Sequence, residues 1–281
     1  MISESDWKLH HYAAVASTMD PAAALARFGA NEGTVVVSDV QTAGRGRGGR
    51  KWQAPPGSGL FCTIILRPDV SPNRLGVLPL VLANAVADAV EAVADLPVRL
   101  KWPNDIWLGD DPEQQKVAGI LTTSRLVGDR IDYVLAGIGI NLSTRRADLP
   151  PGGASLLAVT GSAPATAAMA RQLLACIGEE YGNYLGALGR PSLDRWRKRA
   201  ALIGEQVSIQ TNDREWIGRF VDIDADGALL LDEPESGIRR YVAGDLIRGP
   251  RGLNAPGIRP TEGATSDSNH ARLKDRSTPS W

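Results

Sequence analysis

Two hydrophobic periods alternate along the 281-residue chain, and the switches between them mark out its elements. Short apolar or alternating runs predict strands, and apolar positions recurring every three to four residues predict helices packed on them. After a short lead containing Leu9 to Val15, Ser17-Thr18-Met19-Asp20-Pro21 opens a helix predicted through Phe28. Asp20 suits its N-cap, Pro21 its first position and Gly29 its stop. Thr34 to Val37 and Phe61 to Leu66 read as buried strands, and Pro72 to Asp95 as a long helix lying on a sheet. Val98 to Lys101 is a strand that ends where proline stops regular pairing, in Trp102-Pro103-Asn104-Asp105. Val117 to Thr122 and Ile131 to Ile140 form a predicted hairpin turning at Val127 to Arg130.

Pro150 to Pro164 reads as a small-residue connector, followed by helices over Ala165 to Leu188 and Leu193 to Ala200. From Gly204 the runs shorten to strands at Val207 to Gln210, Trp216 to Asp222, Ala228 to Asp232 and Arg239 to Val242, the pattern of a small β-barrel. Residues 249–281 are polar, rich in Pro, Gly and Ser, and without periodicity, so a disordered tail is expected. The expected division is 1–200 for a large domain, 201–248 for the barrel and 249–281 for the tail.

Composition narrows the class. With 43% hydrophobic and 22% charged residues, a folded globular protein is expected. Thirty-one Lys+Arg against 32 Asp+Glu exclude the basic excess of a dedicated nucleic-acid binder, so any anion recognition must be local. Cys62 and Cys176 each sit in an apolar stretch, which argues against a disulfide framework. His10, His11 and His270 all lie near the ends, which argues against histidine-based catalysis or metal binding. The N-terminus lacks the apolar core of a signal peptide, and the longest apolar stretch, Leu75 to Val93, is interrupted by Asn84, Asp88 and Glu91. No membrane association and a cytoplasmic location are expected.

The segment Gln41 to Gly59 carries the most chemistry and no apolar periodicity: within it stands Gly44-Arg45-Gly46-Arg47-Gly48-Gly49-Arg50-Lys51-Trp52. Its glycines permit close backbone approach to a ligand, and its arginines and lysine are forked and point-charge donors suited to phosphate and carboxylate. Composition alone fits a flexible surface loop or an arginine-rich RNA-binding arm equally well. A dinucleotide fingerprint is disfavoured because Lys51-Trp52-Gln53-Ala54-Pro55-Pro56 follows where a helix must open.

Three further segments follow in order: Lys101-Trp102-Pro103-Asn104-Asp105, then Lys116-Val117-Ala118-Gly119-Ile120-Leu121, then Gly137-Ile138-Gly139-Ile140-Asn141-Leu142. With the Gly/Arg loop they resemble the GRGR…W, KWPND, K-x-x-G-I-L and G-x-G-x-N segments of the biotin protein ligases, and the turn-rich stretch Gly204 to Arg248 resembles that family's C-terminal module. The resemblance implies an α/β (α+β) catalytic domain like that of class II aminoacyl-tRNA synthetases, a mixed and largely antiparallel sheet backed by helices, followed by an SH3-like barrel. It implies activation of biotin by ATP, with Mg²⁺, to biotinyl-5′-AMP, and transfer of biotin to a lysine of a biotin carboxyl carrier protein. Positioning and charge neutralisation supply such catalysis without a nucleophilic triad.

By the same resemblance Ser17, Thr18, Gln41, Arg45, Gly46, Arg47, Lys116 and Gly119 match positions that hold biotin and its activated carboxylate. Arg50, Lys51, Trp52, Asn104 and Asn141 match the nucleotide side, with Trp52 suited to stack on a base. Gly137 and Gly139 are expected to leave room for the adenosine. Arg47, Lys116 and Lys101 are the catalytic candidates, and Asp105 a candidate Mg²⁺ contact through water. Plainer readings stand beside these: Ser17 and Thr18 as helix caps, Trp52 as a core anchor, Asn104 and Asp105 as turn-capping residues, Lys116 and Asn141 as strand ends. The family usually has asparagine after Ser-Thr. Met19 stands there in this chain, so one hydrogen bond to the ureido ring is lost or replaced by apolar contact.

Only 16 residues precede Ser17, too few for the N-terminal DNA-binding domain of some relatives, so no DNA partner is expected. The chain is expected to be a monomer or homodimer. Two rival readings are a lipoate or octanoate ligase of the same fold and an inactive ligand-binding homologue. The Gln41–Trp52 loop is expected to be mobile without ligand and ordered over the adenylate.

Overall fold

In the computed structural model, residues 6–109, 114–187, 189–211 and 214–249 are described. The expected tail, Gly249 aside, lies outside them. The larger sheet is built from β1 (Lys8–Val15), β2 (Thr34–Gln41), β3 (Gly59–Leu66), β4 (Val98–Lys101), β5 (Asp105–Leu108), β6 (Gln114–Val127), β7 (Arg130–Asn141) and the two-residue β8 (Gly152–Gly153). Its order is β1-β2-β3-β7-β6-β5-β4, with β8 beside β6. Strand β1 runs parallel to β2, and β8 parallel to β6. The remaining neighbours are antiparallel, giving the expected mixed sheet.

Alternation of side chains assigns each face of this sheet a different task. Leu60, Cys62, Ile64 and Leu66 of β3, with Val134, Ala136, Ile138 and Ile140 of β7, belong to the main core. The same core takes in α2 (Leu78–Ala94), α4 (Thr166–Ala187) and α5 (Arg190–Arg199). Helix α2 is buried almost all round, as its nearly continuous apolar sequence requires. The opposite face meets only α1 (Met19–Arg27), whose Ala22 and Ala26 pack on Val36, Ile65, Tyr133 and Leu135 in a smaller core. Among the described residues no other helix joins that smaller core, and there β6 and β7 present Gly119, Gly137 and Gly139 beside Leu121.

Several local expectations are corrected. Thr18, not Asp20, is the N-cap of α1, because the Thr18 carbonyl accepts from Ala22 N–H (3.3 Å), which places Asp20 in the first turn and Pro21 third. The helix predicted from Pro72 begins at Leu78, after a 3₁₀ turn over Pro72–Arg74. The connector Pro150 to Pro164 contains β8 and a short helix α3 (Leu156–Thr160), capped by Ser155 Oγ accepting from Ala158 N–H at 3.0 Å. The lead segment is strand β1, and β5 is a strand where only a motif was read.

The second sheet comprises β9 (Gln206–Gln210), β10 (Glu215–Ile223), β11 (Leu229–Glu233), β12 (Gly237–Tyr241) and β13 (Asp245–Arg248), antiparallel throughout in the order β12-β11-β10-β9-β13. β13, which the pattern did not predict, returns beside β9. This module is fastened to the larger sheet. Trp102 Nε1, on a side chain only 2% exposed, donates to the Gly227 carbonyl at 3.0 Å, and Ala201 N–H donates to the Leu100 carbonyl at 2.7 Å. Arg197 bonds both Asp222 (2.8 Å) and the Ile223 carbonyl (2.7 Å). Among the described residues no helix is long and apolar enough to cross a membrane.

Candidate active site

The sheet face bearing these glycines has a floor of backbone. Gly119 of β6 pairs directly with Gly139 of β7, and Leu121 with Gly137. A β-carbon on Gly139 would lie 2.6 Å from Trp52 Cε2, one on Gly119 2.9 Å from Trp52 Cζ3, and one on Gly137 2.9 Å from Met19 Sδ. The room expected for adenosine over Gly137 and Gly139 is therefore taken by Met19 and the Trp52 indole. Trp52 is half-buried on this floor with the Lys116 ammonium 5.6 Å from its ring centroid.

The basic segment folds back on itself as a tight hairpin rather than trailing as an open loop. Arg45 and Lys51 form an antiparallel bridge, Gly46 N–H donates to the Arg50 carbonyl (2.7 Å), and Trp52 N–H donates to the Gly44 carbonyl (2.9 Å). The turn needs positive φ at Gly48 (63°) and Gly49 (76°), which glycine adopts without strain. Arg45 is anchored to both carboxylate oxygens of Asp20 (2.5 and 2.6 Å), so the acid expected to cap α1 instead ties the loop to it. On the other side the Arg47 guanidinium donates to the Gly244 carbonyl and the Asp245 carboxylate, and Arg50 donates to Asp245 at 2.5 Å.

Ser17 and Thr18 are buried at the start of α1. The backbone N–H and hydroxyl of Thr18 both donate to Gln41 Oε1 (2.8 and 3.2 Å), and the Thr18 hydroxyl also meets Thr63 Oγ1 at 2.8 Å. The amide of Gln41 is thereby fixed in orientation. Asn104 Nδ2 donates to the Ile120 carbonyl (2.7 Å), while Ile120 N–H donates to the Asn104 carbonyl (3.0 Å). The turn after β4 is pinned to β6 by this exchange. Lys116 Nζ lies 2.6 Å from Asp105 Oδ1. Lys101 Nζ is 5.3 Å from the centroid of Trp107. Burial holds the Lys101 ammonium below its ordinary pKa, with Lys116 and Arg50 adding to the effect and Asp105 and Asp245 opposing it.

Two adjoining cavities result, both open to solvent. Ser17, Thr18, Gln41, Arg45, Gly46, Arg47, Asn104 and Gly119 line the first, Lys101 and Asn141 the second, and Arg50, Lys51, Trp52, Asp105 and Lys116 both. Every candidate site residue is thus brought to one place. Sequence reasoning missed the apolar lining from Cys62, Ile120, Leu121 and Ile138 and the Pro150–Gly153 wall of the second cavity. The wall had a signal, the Pro-Pro-Gly-Gly run; the apolar residues had none beyond being core-like. Among the described residues, five buried side-chain polar atoms lack a partner, and three of them, Arg47 Nε, Trp52 Nε1 and Asn141 Oδ1, belong to residues lining these cavities. Unpaired buried polar atoms are costly, so their concentration here marks a site that complements a polar ligand. Asn141 is held for this by its Nδ2, which donates to the Ala154 carbonyl at 2.9 Å.

Residues 14–141 match the Biotin/lipoate A/B protein ligase family, and residues 202–249 match the Biotin protein ligase C terminal domain. The bifunctional ligase/repressor BirA of Bacillus spizizenii is 35% identical over 239 residues, covering 84% of this chain and 72% of that protein. A biotin--[acetyl-CoA-carboxylase] ligase of Mycobacterium tuberculosis is 31% identical over 252 residues, covering 86% and 90%. The solved structure of biotin protein ligase from Aquifex aeolicus in complex with biotin and ATP aligns with a TM-score of 0.72 at 29% identity, over 86% of this chain and 99% of that one. By identity, coverage and shared fold, the chain belongs to the biotin protein ligase family of enzymes.

Proposed function

We propose that the chain activates biotin with ATP as biotinyl-5′-AMP, releasing pyrophosphate, and then transfers biotin to a specific lysine of a biotin carboxyl carrier protein. The observation that carries this reading is the convergence of Arg47, Arg50, Lys51, Lys101 and Lys116 on two adjoining cavities floored by glycine. A carboxylate oxygen of biotin attacks the α-phosphorus, and the bond to pyrophosphate breaks as the new P–O bond forms. The neutral amine of the acceptor lysine then attacks the acyl carbon, AMP leaves with the bonding pair, and the amine sheds a proton.

Each residue has a place in that scheme. Ser17, Thr18, Gln41, Arg45, Gly46 and Gly119 hold biotin. Arg47, Lys101 and Lys116 neutralise charge at the reacting phosphate and carboxylate, where one donor typically contributes about 10²–10³-fold in rate. Arg50, Lys51, Trp52, Asn104 and Asn141 hold the nucleotide. Among the described residues no three His, Cys, Asp or Glu side chains converge to hold a metal. Asp105, the one carboxylate among the residues lining the two cavities, would contact Mg²⁺ through water. When bound, that ion supplies further neutralisation of phosphate charge. We assign the two-substrate chemistry to residues 1–200, a supporting role to 201–248, and a cytoplasmic location to the whole.

Biotin-dependent exchange of labelled pyrophosphate into ATP tests the reading, with Arg47→Ala and Lys116→Ala as variants and lipoate as the control acid. Exchange with biotin alone, weakened in both variants, is expected. Exchange with lipoate instead moves the assignment to the sister ligases, and no exchange with either acid points to a binding protein.

A further inference from the structure

The hairpin that carries Arg47 and Arg50 is held from the far end of the chain. Asp245, the first residue of β13, takes both guanidiniums, and the Gly244 carbonyl takes a second bond from Arg47. The position of that carbonyl is built in. Gly244 has φ +144°, and a β-carbon there would lie 2.3 Å from Ile209 Cγ2, so only glycine fits. Asp245 also lies within electrostatic reach of Lys101. It therefore stands behind three of the cations that surround the cavities while lining neither cavity itself.

Both bonds that Arg47 makes to this end of the chain come from one nitrogen. Its Nη2 is committed to Asp245 and Gly244, whereas its Nε, also buried, has no partner, and the residue lines the first cavity. A guanidinium is planar and rigid, so the two bonds made by Nη2 fix the direction of the whole group, Nε–H included. Half-exposed ion pairs of this kind add little to stability. What the pairing supplies is orientation, and it also keeps Arg47 and Arg50 together against their mutual repulsion.

We propose that Asp245 is a positioning residue for the nucleotide: from the start of β13 it aims Arg47 and Arg50 at the phosphates. This rests on the function proposed above. The variants Asp245→Ala, Asp245→Asn and Asp245→Glu are compared with the unaltered protein. Binding of ATP with Mg²⁺, and separately of biotin, is followed by titration calorimetry, alongside KM and kcat for pyrophosphate exchange and the melting temperature.

Removing an orienting charge-assisted hydrogen bond typically weakens an interaction by about tenfold or more. Asp245→Ala and Asp245→Asn are expected to raise Kd and KM for ATP by about that factor, to change biotin affinity by about threefold at most, and to melt within a few degrees of the unaltered protein. Asp245→Glu is expected to recover part of the loss. Asn is nearly isosteric, so it keeps the comparison valid if alanine perturbs folding. Unchanged ATP affinity in a folded variant overturns the proposal, as does equal weakening of biotin and ATP. Failure of the functional reading looks different: the unaltered protein then shows no biotin-dependent exchange, while ATP binding still reports on Asp245 directly.

Discussion

The Trp52 indole lies where a side chain at position 139 would begin, with only 2.6 Å between its Cε2 and a β-carbon built on Gly139. The obstructing atoms belong to a rigid ring on a hairpin tied at both ends, so the conflict cannot be relieved by a rotating chain terminus. Gly139→Ala is expected to displace Trp52, to cost about 1–3 kcal/mol in melting measurements through overpacking, and to slow pyrophosphate exchange at least about tenfold. A variant with wild-type exchange and stability shows that Trp52 leaves this floor freely.

Lys116 and Asp105 form one unit at 2.6 Å. If that unit acts together, Lys116→Ala and Asp105→Asn each lower kcat/KM by about 10²-fold, and the double variant is no worse than the poorer single. Independent action predicts multiplied losses of about 10⁴-fold, which a four-variant kinetic cycle distinguishes.

Lys101 links the site to pH. Its folded pKa lies below the ordinary 10.5, so burial of the charged ammonium opposes folding at low pH. That penalty is relieved, and stability rises, as pH climbs through the folded value towards 10.5. Phosphate beside the ammonium favours the charged form, so nucleotide binding takes up protons within this window. Calorimetry in buffers of different ionisation enthalpy is expected to show uptake that grows as pH rises towards the lowered folded value and vanishes in Lys101→Met. Equal uptake in both proteins removes Lys101 from the site.

Cys62 lines the first cavity yet is 3% exposed, and burial pushes its thiol up to about 12. Reactivity needs thiolate. In the native protein a thiol reagent is expected to modify half-buried Cys176 and spare Cys62, with both reacting in denaturant, as peptide mass analysis reports. Fast labelling of Cys62 contradicts the packing of β3.

What could be read from the sequence followed the rarity of the residues concerned. Glycine inside the apolar runs of β6 and β7, arginine crowded among glycines, and the Lys101–Asp105 turn are unusual enough to announce a site, and all of them border the two cavities. The β6–β7 hairpin was plain because the long strands alternate. β1 was not: an edge strand with Leu9, His10 and His11 exposed has little pattern to show. Nor did local sequence reveal how the space above the glycines is used, since Met19 arrives at the start of α1 and Trp52 from the basic hairpin. Asp245 had no signal at all, because it meets Arg47 across 198 positions.

The burial of Trp102 bears on how the protein comes apart. Its indole is enclosed in the main core, yet its only polar atom is spoken for by Gly227 in the turn between β10 and β11 of the second sheet. Peeling that sheet away strands an indole N–H inside the larger core and strips the Arg47–Arg50 hairpin of its far tether. Partial melting therefore gains little entropy before it damages what remains, and heat should find a single cooperative transition with no half-folded species that keeps a working site.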